Sequence, residues 1–179
     1  MKVKKSIIFV FLFVSIIMWL SGCGFERDIS AEREAVASRV KNEIAIAVVG
    51  PMWVMDDASR YLDGIKLAVE EINEKGGVND RLIDLRVFDD NGLTMDGINI
   101  AQQLAGDPEI MAVLGHWNSH VTIPAASIYD NSGLLMITAM ASNPKLTQNN
   151  YDLVFRNFPD DELMGSEMAH FAKLQGHQR

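Results

Sequence analysis

The sequence predicts one α/β domain over residues 44–179, a doubly wound parallel sheet with helices on both faces. Short apolar runs of strand length alternate with amphipathic segments of helix length, which requires crossover connections and hence parallel strands. The run Ile44–Val49 (IAIAVV) is apolar throughout, as in a strand buried on both faces of a sheet. A chain of 179 residues, 48% of them hydrophobic, can bury one ordinary core but not two large ones.

The first helix and the second strand follow from their hydrophobic periods. Tyr61–Lys75 is predicted to be a helix, with a cap at Asp56, Asp57 or Ser59 and an end at Gly76-Gly77. One face of this helix carries Leu62, Ile65, Ala68, Val69 and Ile72. The next run, Leu82–Phe88, alternates apolar and charged residues, which is typical of a strand at the rim of a sheet.

The remaining elements continue the alternation. Thr94 is predicted to cap a helix that carries Ile98, Ala101 and Leu104 and ends before Pro108. The later predicted elements are the strand Ile110–Leu114, the helix Ala125–Tyr129, the strands Leu134–Thr138 and Leu153–Arg156, and the helix Asp161–Gln175. This last helix places Leu163, Met168, Phe171 and Leu174 on one stripe.

The N-terminal segment predicts export and a lipid anchor. A basic start (MKVKKS) precedes the apolar run Ile7–Leu20, which is too short for an ordinary bilayer span and fits a signal peptide over residues 1–22. The alternative is a membrane helix that is retained. Leu20-Ser21-Gly22-Cys23 resembles the lipobox of bacterial lipoproteins, and Cys23 is the only cysteine of the chain. Residues 23–43 are predicted to be the lipidated cysteine and a charged tether, partly helical.

Charge and motifs exclude several classes of function. Three of the 16 basic residues lie in the predicted signal peptide, which leaves 13 against 24 acidic residues in the mature chain. This balance repels nucleic acid and anionic lipid. The loop Gly50–Asp57 contains neither a dinucleotide-binding nor a P-loop glycine pattern, so no nucleotide cofactor is predicted.

Three loops leave the carboxyl edge of the predicted sheet, where ligands bind in such folds: Gly50–Asp57, Gly115–Thr122 and Ala139–Leu146. In the second loop, His116 and His120 have the spacing of a helical metal pair, but no convincing third ligand is near in sequence. Surface or capping histidines are the alternative, and no metal is predicted. Ser119 lacks a nucleophile elbow and a base, so a catalytic serine is disfavoured.

The same loops predict a site for an anion. Ser119–Thr122 lies at a helix start, where unpaired N–H groups and the macrodipole favour negative charge, and Pro124 fits within or close to the first turn. The third loop repeats the arrangement with Ser142 and Asn143. Together the two loops are expected to hold a carboxylate. The alternative is that both serines are only helix caps.

Several stretches carry a resemblance to a known family: IAVVGPM, GIKLAVEEINEKGGV, DDNGLTMDGINIAQQLA and VLGHWNSHVTIPAASIYDNSGLLMITAMASNPKLT. They resemble the branched-chain amino-acid (leucine)-binding proteins of ABC transporters, which have the type I periplasmic-binding-protein fold. In that family two α/β lobes close on a small ligand. The resemblance covers the first lobe only, and residues 44–179 are accordingly expected to form an N-terminal lobe without the second.

The resemblance implies the site residues. Ser119 matches a serine that helps to hold the ligand's α-carboxylate and α-ammonium groups. Met140 and Ser142 match ligand-binding positions in the loop after the fourth strand. Trp117 matches a residue of the side-chain pocket. The predicted set also includes Asn118, which lies between Trp117 and Ser119, and Trp53 in the first loop. Trp117 and Met140 replace residues that are commonly smaller, so the ligand is not fixed as leucine, and another amino acid or an amide remains open.

The resemblance also implies the partners. The protein is expected to be a lipid-anchored, extracytoplasmic solute-binding protein that delivers an amino acid to an ABC permease, with no cofactor and no enzymatic activity. A sensory ligand-binding domain of the same fold is the first alternative. An extracellular enzyme is the second, and it lacks a nucleophile–base pair in the sequence.

Overall fold

The computed structural model describes residues 28–39 and 42–177. The predicted signal peptide and Cys23 lie outside these residues. In chain order the elements are α1 (Ile29–Arg39), β1 (Glu43–Gly50), a π-helical segment (Trp53–Ala58), α2 (Tyr61–Glu74), β2 (Leu82–Asp89), α3 (Thr94–Ala105), β3 (Ile110–Gly115), α4 (Ser119–Asn131), β4 (Leu135–Thr138), a 3₁₀ turn (Pro144–Leu146), β5 (Val154–Arg156) and α5 (Asp161–Leu174). None of the described helices is long and apolar enough to cross a membrane.

The five strands form one parallel sheet in the order β2-β1-β3-β4-β5. From β1 the chain adds β2 on one side and then returns to add β3, β4 and β5 on the other side. This arrangement confirms the predicted doubly wound parallel sheet. It also confirms that β1, which contains the apolar run Ile44–Val49, is an interior strand, and that β2, with its alternating pattern, is an edge strand.

Two apolar clusters cover the two faces of the sheet. The larger cluster joins β1, β3 and β4 to α3 and α4, and it includes Ala47 and Val49. The smaller cluster joins Val48 to Met55 and Leu62, on the face covered by α2 and the π-helical segment. Successive residues of β1 therefore point to opposite cores, as the two-residue period of a strand requires. Helices on both faces of the sheet are thus confirmed.

Helix α4 is longer than the sequence predicted. It runs over Ser119–Asn131, so Pro124 is its sixth residue and lies beyond the first turn. Proline has no N–H to donate to the carbonyl four residues earlier. Here the hydroxyl of Thr94 donates to that carbonyl, which belongs to His120, at 3.4 Å. Thr94 therefore supports α4 and is not the cap of α3, as the sequence had suggested, because it is the first helical residue of α3.

Two predicted apolar faces are less buried than their periodicity suggested. In α2, Leu62 is buried, but Ala68 and Ile72 are exposed. The predicted stripe of α5 is also exposed, and no residue of α5 is buried. The reason is positional, because α5 follows the edge strand β5 and the described residues place no further layer over its apolar stripe. Periodicity predicted both helices correctly but could not give their depth of burial.

Helix α1 packs on the domain through a buried arginine, so part of the predicted tether belongs to the folded body. Arg33 donates from Nε to the carbonyl of Ile110 at 2.8 Å, from Nη1 to that of Ser132 at 2.8 Å, and from Nη2 to that of Ala105 at 3.1 Å. Burial lowers the pKa of Arg33, and the nearby carboxylate of Asp107 opposes that shift. These carbonyls lie at the amino-terminal edge of the sheet, opposite the predicted ligand loops.

We expect Arg33→Met to lower the free energy of unfolding by about 2–4 kcal/mol, because each buried acceptor left without a donor costs roughly 1–3 kcal/mol. Methionine keeps much of the apolar stem, so the change mainly removes hydrogen bonds. Urea unfolding of the 179-residue chain measures the effect, and Arg39→Met, on an exposed part of the same helix, is the matched control. Equal midpoints for the two variants would mean that α1 contributes nothing to the domain through Arg33.

Candidate functional site

The carboxyl ends of β1, β3 and β4 lie side by side at one edge of the sheet. Because β2 and β3 flank β1 on opposite sides, the strand order reverses at β1. The loops that follow β1 and β3 diverge at such a reversal and leave a crevice between them, which is where ligands bind in open α/β sheets. The three loops singled out in the sequence therefore meet at one place in the fold.

The loop after β3 begins with a glycine that the fold requires. Gly115 has φ of 140°, a region that favours glycine, and a Cβ at this position would collide with the carbonyl oxygen of Val49 on the neighbouring strand. The chain then turns His116 into the core and leaves Trp117 and Asn118 half-buried at the edge. Asn118 occupies the N-cap position of α4, but its side chain makes no capping hydrogen bond.

Ser119 is the first residue of α4 and is bonded to the opposite loop. Its Oγ accepts a hydrogen bond from the amide of Asn143 at 3.2 Å, so its hydroxyl proton is available for another acceptor. The amides of the third and fourth helical residues donate to the carbonyl of Asn118. Among the described residues, the amides of Ser119 and His120 have no acceptor. Two free N–H groups and one free hydroxyl proton at a helix N-terminus suit a carboxylate.

The loop after β4 is tied to the loop after β3 by Thr138. Its buried hydroxyl donates to the carbonyl of His116 at 2.8 Å and accepts from the amides of Met140 and Ala141 at 3.4 and 3.3 Å. Ser142 is half-buried, and its side chain has no hydrogen-bond partner in the part of the chain that the structure describes. The bonds of Thr138 therefore fix the relative position of the two loops. Ser142 supplies a second free hydroxyl, in the loop after β4.

Arg156 fixes the loop after β4 through hydrogen bonds, and the sequence pattern did not single it out. Its guanidinium donates to the carbonyls of Asn143 and Phe158 at 3.1 and 3.0 Å, to the hydroxyl of Thr147 at 3.1 Å and to the carboxylate of Asp160 at 3.1 Å. These bonds fix the backbone on both sides of the 3₁₀ turn. A basic residue at the carboxyl end of a short predicted strand was the available signal.

A small cleft beside the loops is lined by aromatic and sulfur-containing side chains. Trp117 packs edge-on against Tyr61, with ring centroids 5.4 Å apart and an interplanar angle of 85°. With Met55 and Met140 they line a volume of about 10 Å³, which is enough for about one water molecule. Tyr61 and Met55 were not predicted, although an aromatic residue at the start of the first helix was a usable signal. Trp53 lies outside this lining and is 63% exposed.

His116 is buried, which corrects the expectation that both histidines are surface or capping residues. Its Nδ1 lies 2.6 Å from Oδ2 of Asp90, and its Nε2 lies 3.1 Å from the hydroxyl of Tyr129. Burial, followed by the charge of Asp90, raises the pKa of Tyr129. His120 is exposed and contacts the carbonyl of Gly92.

The two histidines do not form the helical metal pair that their spacing allowed. His116 precedes α4, so its imidazole and that of His120 do not share a helical face. Within residues 28–39 and 42–177, no group of three or more His, Cys, Asp or Glu side chains is arranged to hold a metal ion.

A larger cleft, of about 130 Å³, lies at the opposite, amino-terminal edge of the sheet, beside α1. Among its charged groups, Arg86 donates to Asp84 at 2.8 Å and to Glu109 at 3.1 Å, and Arg81 donates to the carbonyl of Ala37 at 3.0 Å. The hydrogen bond to Asp84 raises the pKa of Arg86 despite partial burial. This cleft is far from the strand reversal, so the smaller crevice at the carboxyl edge remains the candidate site.

Comparison with known proteins identifies the family. A family model described as "Periplasmic binding protein" matches residues 43–179. The chain belongs to the periplasmic binding protein family. A Leu/Ile/Val-binding protein homologue from Brucella abortus is 35% identical over 128 residues, which are 72% of this chain and 34% of the relative. A leucine-, isoleucine-, valine-, threonine- and alanine-binding protein from Pseudomonas aeruginosa is 33% identical over 141 residues, 79% of this chain and 37% of the relative.

Solved structures of binding proteins agree with this assignment. An ABC transporter substrate-binding protein from Desulfitobacterium hafniense, in complex with Leu, is 43% identical with a TM-score of 0.74, over 77% of this chain and 41% of that one. An isoleucine-bound substrate-binding protein from Streptococcus pneumoniae has a TM-score of 0.62 over 67% of this chain and 35% of that one, at 24% identity, and shows the fold alone. The chain thus spans roughly a third to two fifths of the length of these binding proteins.

Proposed function

We propose that this chain supplies the ligand-holding N-terminal lobe of an extracytoplasmic, lipid-anchored solute-binding protein that captures an amino acid for import by an ABC transporter. The likeness to the leucine-bound Desulfitobacterium hafniense protein, at 43% identity over 77% of the chain, carries the proposal. The free hydrogen-bond donors at the strand reversal support it, because they suit the carboxylate that all α-amino acids share. The proposed partner is the membrane permease of that transporter.

In this proposal the amino acid's carboxylate lies at the N-terminus of α4. Ser119 donates its hydroxyl proton and its N–H, and His120 donates its N–H. Ser142 adds a hydroxyl, and the backbone of Met140 lies beside it in the loop that Thr138 and Arg156 hold in place. Hydrogen bonds to a charged acceptor contribute about 1.5–3 kcal/mol each, so few are needed to orient the ligand.

The ligand's side chain is proposed to point toward Trp117, with Asn118 at the edge of the site. The half-open cleft beside the Trp117 and Tyr61 rings is proposed to receive this side chain, and the two rings limit its size. Trp53, which is mostly exposed, is proposed to reach the ligand from the rim of the crevice.

Binding is tested first with a two-lobed chimera, in which residues 43–179 replace the matched part of the Desulfitobacterium hafniense protein. Titration calorimetry with the common L-amino acids, including asparagine and glutamine as amides, should show one or a few ligands bound at micromolar or lower dissociation constant. A chimera that is folded and binds none of them would contradict the proposed function.

Trp117→Leu in the chimera should shift the ligand ranking toward leucine, isoleucine or valine. The indole packs against Tyr61 and lines the cleft, and a smaller apolar side chain leaves room for a branched chain. Competition calorimetry gives the ranking, and Phe155→Leu, an aromatic change on the exposed side of β5, is the control. An unchanged ranking in Trp117→Leu would remove Trp117 from the ligand pocket.

The lipid anchor has its own test. Cys23→Ser should move the protein from the membrane fraction to the soluble fraction and abolish metabolic labelling with fatty acid, because serine has no thiol to carry the lipid. Ser21→Ala keeps a small residue in the lipobox and should leave labelling unchanged. If Cys23→Ser stays in the membrane fraction, the run Ile7–Leu20 is a retained helix and the lipoprotein assignment is wrong.

A further inference from the structure

We propose that Asp90, His116 and Tyr129 form a positioning network that holds the loop after β3 in its ligand-competent position. The inference rests on the proposed function, because it concerns the same site. Asp90 follows β2, His116 follows β3 and Tyr129 lies in α4. All three side chains are buried: Asp90 and Tyr129 are 0% exposed and His116, which borders the cleft beside Trp117, is 1% exposed.

Hydrogen-bond accounting selects one arrangement of the network. The carboxylate of Asp90 only accepts, so Nδ1–H of His116 donates to its Oδ2 at 2.6 Å. Nε2 then accepts the hydroxyl proton of Tyr129 at 3.1 Å, since no other acceptor for that proton is present among the described residues. The second oxygen of Asp90 accepts from the amide of Gly92 at 2.8 Å. Every polar side-chain atom of the network thus has a partner, and removing one member leaves another unpaired in the core.

The network fixes Ser119 from two directions. His116 is three residues before Ser119, and Tyr129 is ten residues after it on the same helix. The bond between His116 and Tyr129 therefore closes a loop in the chain that contains the start of α4. A helix held at both points cannot rotate about its axis without breaking this bond, so the backbone position of Ser119 is fixed.

The same network reaches the second ligand loop. The carbonyl of His116 accepts from Thr138, whose hydroxyl also accepts from the amides of Met140 and Ala141. A continuous path of hydrogen bonds thus runs from Asp90 through His116 and Thr138 to the backbone of the loop after β4. A core that only needed stability could fill this space with apolar side chains, whereas a buried polar network also specifies a unique geometry.

The inference is tested by hydrogen exchange on the full 179-residue chain and by titration calorimetry on the two-lobed chimera with the amino acid that it binds. Tyr129→Phe removes only the hydroxyl, and Tyr151→Phe, at a tyrosine outside the network, is the matched control. In Tyr129→Phe, the amides of Val121, Thr122 and Asn143 should exchange about tenfold faster or more, while the slowest amides of β1 and β3 change less. In the chimera, Tyr129→Phe should raise the apparent dissociation constant for its amino-acid ligand about tenfold.

Conservative replacements separate positioning from stability. The amide nitrogen of asparagine can take the place of Nδ1, so His116→Asn keeps the bond to Asp90 and should recover part of the loop protection lost in His116→Ala. If loop and strand amides accelerate by the same factor in Tyr129→Phe, the network only stabilises the fold and the inference is wrong. A ¹⁵N spectrum of the unaltered chain adds a test that needs no variant. An Nε2–H tautomer of His116 in that spectrum would also overturn the inference.

Failure of the proposed function gives a different result. If the folded chimera binds none of the common L-amino acids, the proposed function fails, while the exchange of Val121, Thr122 and Asn143 in the 179-residue chain still decides the inference. If the chimera binds an amino acid and Tyr129→Phe changes neither its affinity nor the loop exchange, the function stands and the positioning network is excluded.

Discussion

The 179-residue chain should bind any common L-amino acid, L-leucine included, with a dissociation constant on the order of millimolar, or not at all, while the two-lobed chimera binds its amino-acid ligand at micromolar or lower. Ligand sites typically cover about 70–90% of a small ligand's surface. The residues that the structure describes supply one wall of such a site. The cleft in this wall beside Trp117 has a volume of about 10 Å³. Hydrogen-bond donors that are open to solvent already bind water. Replacing that water with the ligand therefore contributes little net free energy.

NMR chemical-shift titration of the chain, beside calorimetry of the chimera, measures this difference, which corresponds to a thousandfold or more in affinity. L-Leucine methyl ester is the control ligand, because it keeps the side chain and loses the carboxylate. Micromolar binding of L-leucine by the monomeric chain would mean that one wall is sufficient and that the site is complete within it.

The second large effect is expected at the two serines of the site. In the chimera, Ser119→Ala and Ser142→Ala should each weaken ligand binding by about 1.5–3 kcal/mol, which is roughly 10- to 150-fold, because each removes a donor to a charged group. The free energy of unfolding should change by no more than about 1 kcal/mol, because Ser119→Ala removes one hydrogen bond within the chain and Ser142→Ala removes none among the described residues. Calorimetry and urea unfolding measure the two quantities separately.

Ser127→Ala is the matched control for these variants. Ser127 lies on the same helix as Ser119, but its hydroxyl donates to the carbonyl of Pro124 at 3.0 Å. Its replacement should leave ligand affinity unchanged. Unchanged affinity in both Ser119→Ala and Ser142→Ala would return these serines to a purely structural role.

The fold could be predicted from the sequence because its signals are local. The uninterrupted apolar run in β1 and the alternation in β2 reflect which faces of a strand are buried, so the central and edge positions followed directly. Turn glycines ended α2 as expected, with Gly76 and Gly77 at φ of 96° and 77°. Helix burial was predicted less well, since the exposed stripe of α5 has the same periodicity as a buried one.

The candidate site could be predicted only in part. The loops after β1, β3 and β4 were expected to meet because parallel strands end at one edge, and they do. The role of His116 could not be derived, because its partners Asp90 and Tyr129 are 26 and 13 residues away and no spacing rule connects them. The hydrogen bond of Ser119 to Asn143, 24 residues away, was inaccessible for the same reason.

The sequence by itself thus determined the strand–helix alternation, the edge at which ligand loops gather, and the residues that those loops carry. Each of these depends on periodicity or on chain order. Only the tertiary structure decided that Arg33 joins α1 to the domain, that Tyr61 and Trp117 close the side-chain cleft, and that Arg156 fixes the loop after β4. These are contacts between distant segments, and their partners are selected by packing and by the pairing of buried polar groups, which no local pattern encodes.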